Sequence, residues 1–236
     1  MRLLVHVLVL LLCCASGCSS LYYAGLEKVG IPKRDLLSRR VERARDAQED
    51  TKKQVGSALD RFRATVHVAG SDLEQSYDSL RNELTKTEKR AEELNERVDE
   101  VESVAEALFD EWEDELDQYK RPELRADSQR RLADTRRSYT PMIKSMRRAQ
   151  KKVEPVLDAF REVVLALKHQ LNARALAGMQ GELANVEREV DALVDEMNTS
   201  IREAGRFLNS LEQPATGRSS GAEDSYAHKQ RFAANP

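Results

Sequence analysis

Apolar residues recur at alternating spacings of three and four along most of this 236-residue chain. That period belongs to a helix with a buried seam, not to a strand. The longest run is Leu73, Tyr77, Leu80, Leu84, Thr87, Ala91, Leu94, Val98, Val101, Ala105, Leu108, Trp112. It holds heptad phase for more than five repeats, which predicts coiled-coil packing. A second run is Tyr139, Ile143, Met146, Gln150, Val153, Leu157, Phe160, Val164, Leu167, Leu171. Shorter runs flank these two, from Leu37 through Val41 and Val55 to Phe62, and from Met179 through Val190 and Met197 to Leu211.

The breaks between runs have their own chemistry. Pro32 suits the first turn of a helix. Gly70-Ser71-Asp72 offers a C-terminal glycine stop and then N-cap candidates. Arg121-Pro122 interrupts the second helix and permits a new start. Near Asn172 the phase slips, because Leu171 and Leu183 cannot be joined by clean steps of three and four. A turn is read there, against a continuous helix with a stutter. The predicted helices are 32–69, 72–120, 123–171 and 175–212. Pro141 and Pro155 fall inside the third, where a proline costs about 3 kcal/mol. The seam keeps phase across both, so kinks are expected, with a restart at Thr140-Pro141 as the alternative. The fold class is all-α: an elongated antiparallel four-helix coiled-coil bundle with up-down topology over 32–212. Residues 213–236, rich in Pro, Thr, Gly, Ser and Ala, read as a disordered tail.

Charge predicts which helices are neighbours. From Leu73 to Leu116 there are sixteen acidic residues against five basic ones. From Lys120 to Lys168 the balance reverses, to fourteen basic against six acidic. The first helix leans basic and the fourth acidic, so the signs alternate along the chain. An up-down bundle sets opposite signs side by side, which selects topology even though single exposed pairs are worth only about 0–1 kcal/mol. The basic third helix is read first as half of this neutralisation. A sharper reading has Arg130, Arg131, Arg136 and Arg137 facing anionic lipid or a polyanionic glycan. A net charge of −3 argues against nucleic acid as a partner.

The first residues read as an export signal. Arg2 and an apolar run from Leu3 to Leu12 lead into Ala15-Ser16-Gly17-Cys18. The run is too short for a bilayer, which needs roughly twenty residues. A small pair directly before a cysteine resembles a lipoprotein cleavage site, with cleavage between Gly17 and Cys18 and lipid on Cys18; a plain secretory signal is the competing reading. The domains are then 1–17 signal peptide, 18–31 lipidated N-terminus and linker, 32–212 bundle and 213–236 tail. By resemblance to bacterial lipoproteins, Ser19 after the cysteine implies the outer membrane, facing the periplasm. Cys13 and Cys14 leave with the signal, so no intramolecular disulfide is expected in the mature chain.

No nucleotide loop, zinc spacing or nucleophile elbow is found. His67 and His169 fall at the same end of an up-down bundle, but two histidines without a third ligand make a weak metal site. No cofactor, metal or catalytic residue is assigned. Phe109, Trp112 and Tyr119 cluster near the end of the second helix and read as core or tip packing, with a docking patch as the alternative. Gln48, Thr51 and Gln150 are polar seam positions expected to set register at some cost in stability.

Five short segments carry a family resemblance. Tyr22-Tyr23-Ala24-Gly25-Leu26-Glu27-Lys28-Val29-Gly30-Ile31, then Lys33-Arg34-Asp35 and Arg45-Asp46-Ala47-Gln48, open it. Phe109-Asp110-Glu111-Trp112-Glu113 and Lys168-His169-Gln170-Leu171-Asn172-Ala173-Arg174-Ala175 continue it. Together they resemble the bacterial family known as domain of unknown function 2959, over about 20–211. Gly70-Ser71-Asp72 stands where the family's glycine-glycine-aspartate turn is expected. The resemblance implies an exported, often lipid-anchored helical protein of Gram-negative bacteria and carries no activity across.

The resulting expectation is a non-enzymatic scaffold, anchored to the membrane through lipid on Cys18 and binding an envelope protein or the cell wall. The alternative is a membrane-surface or envelope-stress protein whose helices bind anionic lipid. A heptad protein of this length can equally dimerise through its second and third helices. Those two helices are longer than the others, so their surplus should project at the Arg121-Pro122 end, toward the bilayer beside the anchor. The competing expectation is that 19–31 pack on this overhang, with Tyr22 and Tyr23 covering it.

Overall fold

The computed structural model describes residues 32–67, 73–169 and 173–212. They form four helices: α1 Lys33–Val66, α2 Leu73–Leu116, α3 Pro122–His169 and α4 Ala173–Glu212. Each helix packs on its neighbours in sequence, and α4 closes the ring against α1. Partner numbers run in opposite directions across every pair. Lys33 meets Glu111 and Arg40 meets Glu100 between α1 and α2. Glu88 meets Arg161 and Glu113 meets Arg136 between α2 and α3. Ser138 meets Ser210 and Arg148 meets Glu196 between α3 and α4. The up-down bundle is therefore the fold. The signal peptide 1–17, Gly17, Cys18, the linker 18–31, the Gly70-Ser71-Asp72 turn and the tail 213–236 lie outside the described residues.

Each boundary has a local cause. Pro32 is the N-cap of α1, with φ −62° and ψ 140°, and its carbonyl accepts from the Leu36 N–H at 3.1 Å. Pro122 opens α3, where its missing N–H costs nothing, and the Arg121 carbonyl accepts from the Arg125 N–H. The second helix stops at Leu116, not near residue 120 as the Arg121-Pro122 break suggested. Its last turn holds no basic residue, and Glu113, Asp114 and Glu115 sit at the negative end of the helix dipole, where carboxylates are unfavourable. The third helix ends at His169 and α4 begins at Ala173, packed back against it. The chain thus reverses near Asn172, as the turn reading requires.

Helix α3 runs unbroken through Pro141 and Pro155, so the helix does not restart at Thr140. Both prolines are exposed. The carbonyls that lose their donors, those of Arg137 and Lys151, therefore lie toward the outer face, where water can serve them. The proline face is the side on which a helix opens as it curves around a core.

The core follows the heptad runs but is wider than they suggested. Leu94, Val98 and Val101 of α2, Leu193 and Met197 of α4, and Val41, Val55 and Phe62 of α1 are fully buried or nearly so. On α3, Met142, Ala149, Val156 and Val163 join the seam as a third buried column. A helix in a ring of four faces two neighbours and the centre, and so buries a broader stripe than a coiled-coil pair.

Candidate interaction surfaces

The charge alternation read from the sequence becomes a set of interhelical ion pairs. Lys33–Glu111 (2.6 Å) and Arg40–Glu100 (2.7 Å) join α1 to α2. Arg147–Asp99 (2.8 Å), Arg147–Glu102, Arg136–Glu113 and Arg161–Glu88 (2.8 Å) join α3 to α2. Arg63–Glu187 and Arg148–Glu196, both 2.8 Å, join α1 and α3 to α4. In every one of these the cation stands on α1 or α3 and the carboxylate on α2 or α4. The hydrogen bonds that Arg147 donates to Glu102, and then to Asp99, push it above the ordinary arginine range against the desolvation of its partly covered guanidinium. The Arg136 hydrogen bond holds the Glu113 carboxyl below its usual value.

A polar layer crosses the core. The Gln48 Nε2 donates to Ser200 Oγ at 2.8 Å, with both residues fully buried. Thr51 Oγ1 lies 2.8 Å from the Ala47 carbonyl of its own helix and 3.2 Å from the Arg90 carbonyl of α2. Two atoms in the described core lack a protein partner: Gln48 Oε1 and Ser145 Oγ. Gln150, expected in the same role, is only half-buried, and its Oε1 accepts from Arg147 at 2.7 Å. Ser145 and Ser200 escaped the sequence reading, because a small hydroxyl at a seam position gives no periodic signal.

The aromatic residues divide into two groups. Phe109 packs edge-on to Tyr139 at 5.4 Å, and Tyr139 packs on Phe207 at 5.9 Å. The guanidinium of Arg136 sits 5.1 Å from the Phe109 ring centre. Burial, and then the charge of Glu102, raise the Tyr139 hydroxyl above its ordinary pKa. Trp112 Nε1 donates to Ser128 Oγ at 2.9 Å. Tyr119 does not join this cluster. It lies beyond the end of α2 and is 40% exposed, because α1 and α4 do not reach that far.

The overhang expected from helix lengths is present. The start of α1 at Lys33 pairs with Glu111, and Ser210 near the end of α4 meets Ser138. Past these contacts α2 and α3 continue beyond α1 and α4 as a hairpin, closed by Arg125–Asp117 at 2.7 Å, in which Leu132 and Ser128 are buried. From Arg136 to Arg125 it spans roughly 16 Å at ~1.5 Å per residue. Its tip exposes Tyr119 and Leu124, the latter 46% exposed.

The four arginines singled out from the sequence are not equivalent. Arg136 is turned inward onto Glu113 and Phe109. Arg130 and Arg131 share Asp127, and Arg137 pairs with Asp134, all on the exposed side of α3. Farther along α3 an open groove of about 370 Å³ is lined by Glu102, Ile143, Lys144, Arg147, Arg148 and Lys151. Among the described residues no group of three or more His, Cys, Asp or Glu side chains could hold a metal, and no helix is long and apolar enough to cross a membrane. His67 caps α1; the His169 side chain lies outside the described residues.

The family whose description reads "Protein of unknown function (DUF2959)" matches residues 22–211. The chain belongs to this family. The match spans all four helices, so the bundle is the family's domain, and it begins ten residues ahead of Pro32. No curated protein matches the chain.

Proposed function

We propose that this DUF2959 protein is a lipid-anchored scaffold of the bacterial envelope. Lipid on Cys18 would hold it in the outer membrane, facing the periplasm, and the bundle would bind an envelope protein or the cell wall. It acts by binding, not by catalysis. The observation that carries this reading is the α2–α3 overhang. It extends past the start of α1 and presents Tyr119 and Leu124 to the surroundings. Helix α1 begins at that same end, fifteen residues after Cys18 in the sequence. A stiff helical body would thereby offer an apolar tip close to its own anchor. Side-by-side dimerisation through α2 and α3 belongs to the same reading.

Two measurements test it together. Replacing Cys18 by Ala should release the protein from the membrane fraction into the soluble periplasm. Photocrosslinking from position 119 in the intact envelope should capture a discrete partner that a Leu124→Ser variant loses. Unchanged membrane retention of Cys18→Ala would sink the anchor, and no crosslink from either tip position would sink the docking role. A second reading, in which a helix itself lies on anionic lipid, is favoured by one observation: Lys144 and Lys151 on the outward face of α3 are exposed and make no ion pair among the described residues.

A further inference from the structure

The outward face of α3 carries cations at a seven-residue repeat: Arg130, Arg137, Lys144 and Lys151, all exposed. Neighbours in such a row stand about 10.5 Å apart on one side of a helix. Arg130 and Arg137 have nearby carboxylates in Asp127 and Asp134. Lys144 and Lys151 make no ion pair among the described residues, and Arg148 beside them is held by Glu196. The next position of the row, Asp158, is exposed and paired with Arg161, and one heptad beyond it the row reaches Leu165, which is 56% exposed. The exposed large apolar residues in the described chain are Tyr119, Leu124 and Leu165. All of them lie on α3 or in the turn that leads into it.

We infer that this face of α3 docks on an anionic lipid surface. Leu165 would enter the interface, with Lys144 and Lys151 set over headgroup phosphates and the Tyr119–Leu124 tip beyond them left free for its partner. Basic residues with an exposed leucine on the same helix face are the composition of an interfacial contact. A soluble polyanion would reward the lysines and leave Leu165 without a role. The exposed prolines, Pro141 and Pro155, belong to the same side of the helix. The inference rests on the anchored reading, since one helix face supplies too few contacts to hold the protein at a membrane alone. It deepens that reading by laying the bundle along the bilayer. An upright bundle resting on its tip would carry Leu165 roughly 60 Å from the surface at ~1.5 Å per residue from Leu124.

The test uses the full lipidated protein in vesicles that contain brominated lipid, with its single tryptophan, Trp112, changed to Phe. One variant adds Leu165→Trp and another adds Lys53→Trp on the outward face of α1, diagonally across the bundle. With anionic lipid present, the tryptophan at 165 should be quenched and that at 53 should not. Adding Lys144→Gln and Lys151→Gln should lower the ratio of docked to undocked protein about 30-fold, from ~1 kcal/mol for each lysine near an anionic surface. If the protein floats with the vesicles but position 165 is no more quenched than position 53, the docking is overturned and the anchor stands. Quenching indifferent to the two lysines also overturns it. Polyphosphate binding at these lysines with no lipid contact at 165 replaces the proposal with a soluble polyanion. A protein that fails to float refutes the anchor, and the docking with it.

Discussion

The polar layer gives the sharpest stability prediction. Gln48 is fully buried, spends its amide N–H on Ser200, and leaves its Oε1 without a protein partner. Changing Ser200 to Ala removes the acceptor, so the buried amide then lacks partners at both ends. A lost neutral hydrogen bond is worth about 0.5–1.5 kcal/mol, and a buried group left unsatisfied costs about 1–3 kcal/mol. Ser200→Ala should therefore destabilise the bundle by about 2 kcal/mol. Gln48→Leu is close to isosteric and removes both awkward amide atoms. The orphaned Ser200 hydroxyl can turn to a carbonyl of its own helix, as Thr51, Thr87 and Ser210 already do. That variant should be neutral or more stable by about 1 kcal/mol, and Ser200→Ala in its background should cost close to nothing. The coupling energy is then about 2 kcal/mol. In thermal melts followed by helical circular dichroism, Ser200→Ala alone should lower Tm by roughly 4–8 °C for a domain of this size. Equal costs of Ser200→Ala in both backgrounds would refute the reasoning, because the bond would then be carrying no energy.

Further consequences can be checked on the same material. Pro141→Ala should restore an N–H for the Arg137 carbonyl and raise stability by about 1–3 kcal/mol, read as a higher urea midpoint; a lower midpoint would mean that the curvature imposed by the proline is needed for packing. Leu193→Ala, at a fully buried core position of α4, should cost about 2–5 kcal/mol. Stability should also fall in acid. The Arg136 hydrogen bond lowers the pKa of Glu113 from 4.5, and the Arg130 hydrogen bond lowers that of Asp127 from 3.8. At Glu83 burial works against ionisation, but bonds from Lys86, Gln54 and Ser57 outweigh it. A depressed carboxylate contributes stability that is complete above its unfolded pKa and disappears as pH drops through the folded one. Tm should thus be level down to about pH 5 and decline below pH 4.5; a Tm that rises on acidification would contradict these pairs.

The helices, their order and their neighbours were legible because each rests on a local or a summed property. Heptad phase locates a helix, and net charge per helix selects the ring in which α1 and α3 touch only acidic partners. What stayed hidden depends on register. The sequence shows that Arg147 is basic and Glu102 acidic, but only the packed ring brings them together. The third buried column of α3 was missed because a two-helix seam was the template, and Met142, Ala149, Val156 and Val163 sit one residue before Ile143, Gln150, Leu157 and Val164. The early end of α2 was missed because the Arg121-Pro122 break marks only the latest place the helix could stop, and the Glu113–Glu115 run opposes the helix dipole before it. Of the interaction surface, the overhang followed from helix lengths and the basic character of α3 from composition. Which of its cations face outward, and that Leu165 shares their row, needed the bundle's geometry.

The most direct test of the anchored-scaffold account is the intact mass of the protein extracted from native membranes. The account predicts a mature chain that begins at Cys18 and carries about three acyl chains, the number expected of a bacterial lipoprotein and enough for stable attachment. A chain that still begins before Cys18, or one that begins at or after it without lipid, would contradict it.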